Sequence, residues 1–296
     1  MSEDSTPHHS RFSAYLSLIR FDRPIGVLLL LWPTLAALWI ASGGLPATNL
    51  LIIFSLGTFL TRSAGCVIND IADRRVDGQV QRTQARPLVT GAVSVDEAIA
   101  LAASLALAAF VLVLFTNYLT ILLSLAAALL ACAYPFVKRF SNLPQLVLGA
   151  AFSWGIPMSF AAARNQLPAE LWLLFIANLL WTVAYDTEYA MVDRDDDRQA
   201  GIKSTAILFG DMDRAMIGVL QLLSLLALGL AGLRFELGGV YFLSLLLAAA
   251  LFVHQQYRIR GRDRAACFQA FLQNNYVGLV IFAGVVLHYG FNGAAS

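Results

Sequence analysis

The chain has 296 residues, 58% of them apolar and only 13% charged, with a mean hydropathy of +0.69 and a formal net charge of +1. That composition excludes an ordinary water-soluble domain and places the chain among membrane proteins. The near-neutral charge gives no basis for a nucleic-acid partner. The three cysteines, Cys66, Cys132 and Cys267, lie in or beside apolar segments, with no CxxC spacing and no neighbouring histidine. They read as small buried hydrophobes rather than as a disulfide or a metal site.

Residues 1–24 contain no apolar stretch leading to a small-residue cleavage site, so no signal peptide is expected. They read as a cytoplasmic tail and amphipathic lead-in. From 25 to 291 the chain reads as one transmembrane domain with nine apolar segments, at 25–42, 49–71, 97–115, 118–136, 143–163, 169–187, 213–233, 239–256 and 275–291. Each approaches the ~20 residues that a spanning helix needs. Pro24 opens the first and Gly43-Gly44 close it, while Pro33, Pro135 and Pro157 are expected to kink their helices. The pairs within 97–136 and 213–256 have short connections and read as helical hairpins. The fold class is therefore all-α, a multi-pass transmembrane helical bundle. Placing the N-terminus in the cytoplasm and the C-terminus on the opposite side puts every Lys and Arg on the cytoplasmic face except Arg62, Arg164 and Arg234. Two polar stretches, about 72–96 and 188–212, then face the cytoplasm, and each begins with acids. They read as a weak internal repeat.

The first acidic stretch is RSAGCVINDIADRRVDGQVQRTQARP, residues 62–87. Asn69, Asp73 and Asp77 recur at i, i+4 and i+8, so on a continuing helix they line one side. Arg62 and Cys66 extend that stripe inward, with Arg62 about 10 Å deeper than Asn69 along the axis. The second is YDTEYAMVDRDDDRQAGIKST, where Asp186, Tyr189 or Ala190, Asp193 and Asp197 share a face. Clustered carboxylates repel one another and raise each other's pKa values unless a cation intervenes. Hard oxygen donors in small groups suit Mg²⁺, which takes one or two carboxylates and completes its shell with water and phosphate oxygens. Both clusters are trailed by bases, which points to a metal sandwiched with a polyanion rather than to solvated helix ends. The positive-inside rule accounts for Arg11 and Arg258–Arg264, but less well for Arg82, Arg86 or Lys203, and Lys138 and Arg139 end the fourth segment within reach of a phosphate. GIKST lacks the glycine spacing and preceding strand of a P-loop. Arg62 lies two turns inside a membrane helix, where an arginine is costly and faces a cavity or a partner. It either pairs with an acid such as Asp186 or offers its planar fork to a substrate carboxylate. The four histidines have no neighbours that would make a triad or a zinc site.

NDIADRRVDG resembles the NDxxDxxxD signature, and DTEYAMVDRDDD the DxxYAxxDxxDD signature, of the UbiA superfamily of intramembrane prenyltransferases. RFDRPIGVLLLLWPTLAALWIA, YPFVKR, LPQLVLGAAFSWGIPM, GIKSTAILFG and NNYVGLV extend the resemblance over nearly the whole chain. Together they are similar to the branch that prenylates 4-hydroxybenzoate in ubiquinone biosynthesis. The resemblance implies transfer of a polyprenyl group from polyprenyl diphosphate to the position ortho to the acceptor's hydroxyl. It implies a site at the cytoplasmic face of a bacterial inner membrane, open sideways to lipid. By the family pattern Asn69 and Asp73 hold one Mg²⁺ and Asp193 and Asp197 a second, with Asp77 as ligand or support. Asp70 and Asp196 are further candidates. Arg82, Arg86, Lys138, Arg139 and Lys203 clamp the diphosphate, with Arg23 and Tyr134 at the cavity edge, and Arg62 and Asp186 border the aromatic acceptor. Prenylation of dihydroxynaphthoate, homogentisate or haem is the alternative within the class. A secondary transporter is the alternative outside it, although that would place ion ligands nearer the bilayer midplane.

Overall fold

The computed structural model of the protein describes residues 11–79, 83–137 and 139–293. Among them there are helices and turns and no strand. A short helix α1 (Arg11–Leu18) leads into α2 (Ile25–Ser42) and α3 (Thr48–Asp73). The chain continues through α4 (Pro87–Thr90), α5 (Val95–Val113), α6 (Tyr118–Val137), α7 (Pro144–Ser153), α8 (Gly155–Arg164) and α9 (Leu171–Ala200). It closes with α10 (Thr205–Phe209), α11 (Asp213–Arg234), α12 (Gly239–Arg258) and α13 (Arg264–Gly293). Eight of the nine expected segments are long and apolar enough to span a bilayer. The remaining one falls within α9, a 30-residue helix whose second half is too polar to qualify by composition. At ~1.5 Å per residue α9 is about 45 Å long, enough to cross a ~30 Å hydrocarbon core and carry its acidic turns beyond it.

Local sequence explains most boundaries. Gly43 takes the left-handed conformation (φ 67°) and its N–H reaches Ile40 O, while the Gly44 N–H returns to Trp39 O, a glycine-terminated helix end. Ser94 and Glu97 form a reciprocal capping box at the start of α5, and Arg11 of α1 pairs with the same Glu97. The expected kink at Pro157 becomes a break at Trp154, between α7 and α8. Pro157 has no N–H to give to the carbonyl of Ser153, and its ring crowds that carbonyl. The face shared by Asp186, Asp193 and Asp197 lies on one continuing helix, which runs through the polar stretch 188–212 as far as Ala200, where Gly201 (φ 69°) ends α9. Its apolar face packs on neighbouring helices and keeps the helix running past the membrane segment.

The main core joins α2, α8, α9, α11, α12 and α13 around Trp181, Tyr185, Tyr241, Phe252 and Ile281. Small residues let the helices meet closely: a Cβ at Gly284 would lie 2.2 Å from Ser244 Oγ, between α12 and α13. Buried polar bonds fix the rotation of α9. Trp181 Nε1 donates to Asn274 Oδ1 at 2.8 Å, and Asn274 Nδ2 donates to Glu188 Oε2 at 2.9 Å. With Trp181 and Glu188 held against α13, Asp186 lies on the opposite side of α9, within electrostatic reach of Tyr134 on α6, while Tyr189 packs on Phe271 of α13 with ring centres 4.7 Å apart.

Candidate active site

The first acidic cluster forms where α3 ends. The helix does not persist through Asp77, as the i, i+4, i+8 reading required, but stops at Asp73. The Val76 N–H then closes a turn onto Asp73 O at 2.7 Å, and Asp77 opens a 3₁₀ turn, Asp77–Gln79. Charge explains the departure: a straight helix would stack the carboxylates of Asp73 and Asp77 one above the other, whereas the turn brings Asp77 to Arg86. One Arg86 nitrogen lies 2.6 Å from Asp77 Oδ2 and 2.9 Å from Asp70 Oδ1. From the other side, Arg20 Nη2 reaches both oxygens of Asp70 at 2.9 and 2.8 Å. Asp70 is only 1% exposed, and both its oxygens are occupied by guanidinium hydrogen bonds. It therefore reads as the post that fixes Arg86 rather than as an open metal ligand. Asp73 and Asp77 are also buried. Burial pushes the Asp77 carboxyl above the usual carboxylate range, Arg86 draws it down, and Asp73 pushes it up again.

The second cluster lies on the outer turns of α9, with Asp193 buried and Asp197 half-buried. Helix α6 bridges the two. Tyr134 stands within electrostatic reach of Asp186 on α9 and of Asp73 on α3, and also of Arg62 and Tyr189. Arg139 Nη2 donates to Ala72 O at 2.8 Å, and Lys203 Nζ to Phe140 O at 3.1 Å, which brings both bases to the rim between the clusters. Arg86 thus stands inside the first cluster and Arg139 and Lys203 at the rim. Arg23 is exposed and pairs with its neighbour Asp22 at 3.5 Å. Arg82 and Lys138 lie outside the described residues. Asp196, the other additional candidate, is engaged by Arg264 at 3.1 Å, a bond that ties the acidic end of α9 to α13.

Arg62 points into the same space from the deeper side. Its Nη1 donates to Cys66 Sγ at 2.7 Å, and its guanidinium lies 5.7 Å from the centre of the Phe152 ring. Its Nε is buried without a hydrogen-bond partner. Tyr134, Tyr185 and Tyr189 surround it at electrostatic range. The guanidinium thus meets a thiol and a ring, and its Nε–H is left as a donor for an acid group.

Sequence reasoning missed Arg20, which holds Asp70, because an arginine in an amphipathic lead-in has no signature of its own. Its backbone is left-handed (φ 59°), a conformation that costs an L-residue ~1–2 kcal/mol and that the two bonds to Asp70 offset. Glu188 was missed as well. It is fully buried on the side of α9 that faces α13, and only its offset from the acidic stripe distinguished it.

The donor set fits a hard divalent cation. Asn69, Asp73 and Asp77, then Asp193 and Asp197, offer oxygen atoms from two elements, and no thiol or imidazole is among them. Among the described residues no three carboxylate, thiol or imidazole groups converge into a metal cage.

The profile of the UbiA prenyltransferase family matches residues 30–282. The chain belongs to this family. It is 64% identical over 276 residues to a 4-hydroxybenzoate octaprenyltransferase of Aeromonas hydrophila, covering 93% of this chain and 96% of the relative. A second 4-hydroxybenzoate octaprenyltransferase, from Saccharophagus degradans, is 58% identical over 96% of this chain and 95% of its own length. Among solved structures, a UbiA homolog from Aeropyrum pernix K1 in its apo form superposes with a TM-score of 0.78 at 27% identity, covering 88% of this chain and 97% of that one. A homolog from Archaeoglobus fulgidus bound to GPP and Mg²⁺ matches with a TM-score of 0.73 over 94% of this chain and all of its own. At 18% identity it shows the shared fold.

Proposed function

We propose that this membrane enzyme transfers a polyprenyl group from polyprenyl diphosphate to the carbon ortho to the hydroxyl of 4-hydroxybenzoate, releasing diphosphate, as a step of ubiquinone biosynthesis. The observation that supports the reading is that Tyr134 on α6 stands within electrostatic reach of Asp73 on α3, of Asp186 on α9 and of Arg62. The identity of the curated relatives supports the acceptor. We further read the bundle as nine crossings of a bacterial inner membrane, with the acidic face in the cytoplasm. The bias of Lys and Arg supports that orientation.

Asn69, Asp73, Asp193 and Asp197 would hold two Mg²⁺, with Asp77 as ligand or support. Bound there, the ions would supply Lewis-acid neutralisation of the diphosphate as its bond to the prenyl carbon breaks. The chain's own residues do the rest. Arg86, fixed by Asp70 and Asp77, presents its guanidinium at the first cluster, and Arg139 and Lys203 add charge at the rim. Arg82, Lys138 and Arg23 complete the proposed clamp. Departure of diphosphate leaves an allylic cation, and the aromatic walls of Tyr134, Tyr185, Tyr189 and Phe152 shield it from water. Arg62 receives the acceptor's carboxylate, and Asp186 with Tyr134 borders the ring, so that the ortho carbon faces the cation, bonds to it, and then gives up its proton to Asp186 or to the released diphosphate.

The test is purified enzyme in lipid nanodiscs, given Mg²⁺, a long-chain prenyl diphosphate and 4-hydroxybenzoate, with the product identified by mass. The expected result is a 3-polyprenyl-4-hydroxybenzoate whose formation stops with EDTA. Diphosphate release without that product would move the assignment to another acceptor. Folded protein that gives neither would remove the prenyltransferase reading.

A further inference from the structure

The guanidinium of Arg62 lies directly on the first turn of α2. A Cβ built on Gly26 would meet Arg62 Nε at 2.7 Å, Nη2 at 2.8 Å and Cζ at 3.1 Å. No side chain at position 26 could coexist with the arginine in this place. Gly26 is the second residue of α2, and the preceding Pro24 gives the helix no side-chain cap. The N–H groups of Val27 and Leu28 both turn back to Pro24 O, at 2.9 and 3.0 Å. Those of Ile25 and Gly26 belong to the first turn, whose donors have no acceptor within the helix.

A positive side chain has thus been brought against the positive end of a helix dipole, the disfavoured arrangement. Arg62 Nε is buried and has no acceptor. An N–H left in that state costs ~1–3 kcal/mol. Helix-end amides and a guanidinium edge with an unused N–H are the components of an anion seat, and the glycine is what lets the guanidinium reach the helix end. The aromatic neighbours Phe152, Tyr134, Tyr185 and Tyr189 make it a seat for an anion carried on a flat apolar body.

We propose that Gly26 and the N-terminal turn of α2 form, with Arg62, the seat of the acceptor's carboxylate, and that Gly26 is a positioning residue that sets where the guanidinium lies. This rests on the reading that Arg62 receives that carboxylate. The atom displaced by a Cβ at position 26 is the far end of a flexible side chain, not backbone. A substitution there moves the charge and leaves the helix in place. The effect therefore falls on acceptor binding rather than on folding or on the diphosphate.

The experiment uses full-length enzyme in nanodiscs as wild type, Gly26→Ala, Arg62→Ala and the double variant. Thermal stability, kcat, and KM for 4-hydroxybenzoate and for the prenyl diphosphate are measured for each. Loss of charge-assisted hydrogen bonds to the carboxylate corresponds to a change of roughly ten-fold or more. Gly26→Ala is expected to raise the acceptor KM by about that factor while the diphosphate KM stays within about two-fold. It should add nothing in the Arg62→Ala background, since two residues acting through one contact are not additive. An unchanged acceptor KM in folded Gly26→Ala, or a rise that adds fully to that of Arg62→Ala, overturns the role of Gly26 and leaves Arg62 standing. An unchanged acceptor KM in Arg62→Ala overturns the reading beneath it. Should Gly26→Ala not fold, Arg62→Lys decides the matter, because it keeps the charge and removes the two nitrogens that touch α2. Adding Gly26→Ala to that variant is expected to leave the acceptor KM within about two-fold of Arg62→Lys alone, since the clashing nitrogens are gone; a further large rise refutes the role of Gly26.

Discussion

Asp70→Asn isolates the post that holds Arg86, a member of the proposed diphosphate clamp. The carboxylate is 1% exposed, and its partners Arg20 and Arg86 have side chains 21% and 16% exposed, so solvent screens these pairs little. Removing one member of a buried ion pair typically costs ~3–5 kcal/mol, because the remaining charge stays buried. Here the penalty is smaller, since Arg86 keeps Asp77 and asparagine keeps one acceptor oxygen for Arg20. A loss of about 2–3 kcal/mol is expected. For a domain of this size that corresponds to a fall in Tm on the order of 5 °C. The assay is thermal unfolding in nanodiscs, with Arg20→Met and the Asp70→Asn/Arg20→Met pair alongside. The double variant should be less destabilised than the sum of the single ones, because both remove the same contact. Turnover should fall through a raised KM for prenyl diphosphate as Arg86 loses its anchor. An unchanged Tm combined with a raised Mg²⁺ requirement would refute this reasoning and make Asp70 a metal ligand.

Asp73→Ala and Asp193→Ala should each reduce product to background in the mass assay while membrane insertion and Tm stay near wild type. Turnover by either would remove the two-metal proposal. Stripping divalent ions with EDTA should abolish prenyl transfer, and added Mg²⁺ should restore it in the same sample; activity that survives chelation would end the metal reading. Asn274→Leu should destabilise by about 2 kcal/mol or more, because it strands the buried Trp181 Nε1–H and the Glu188 oxygen together. Glu188→Gln keeps an acceptor for Asn274 and should stay within about 1 kcal/mol of wild type in the same unfolding assay. Gly284→Leu should separate α12 from α13 at Ser244 and cost about 1–3 kcal/mol, read as a lowered Tm with the site's KM values retained.

Much of the molecule follows from the sequence alone. Spanning helices are dictated by apolar length, and most of their ends by local chemistry that needs no distant partner, such as Gly43-Gly44 after α2 and Ser94 before α5. The acidic stripe of α9 was legible for the same reason: its period is that of the helix itself, and the helix continues through it. Asp77 was not legible in the same way. Its position depends on Arg86, and Asp70 on Arg20, fifty residues earlier in the chain. Those ion pairs, not the helix period, decide which carboxylates are occupied by guanidinium and which face the shared space. The same distinction holds for Gly26. In the sequence it is a small residue at the start of an apolar run, and nothing local marks it. Only the packing of α3 on α2 shows that an arginine from thirty-six positions away uses the space a side chain would fill. Short-range periodicity fixes where the charged groups lie along each helix. Which of them meet, and which stay open to a substrate, is set by helix packing and by long-range charge pairing, for which the chain's local pattern carries no code.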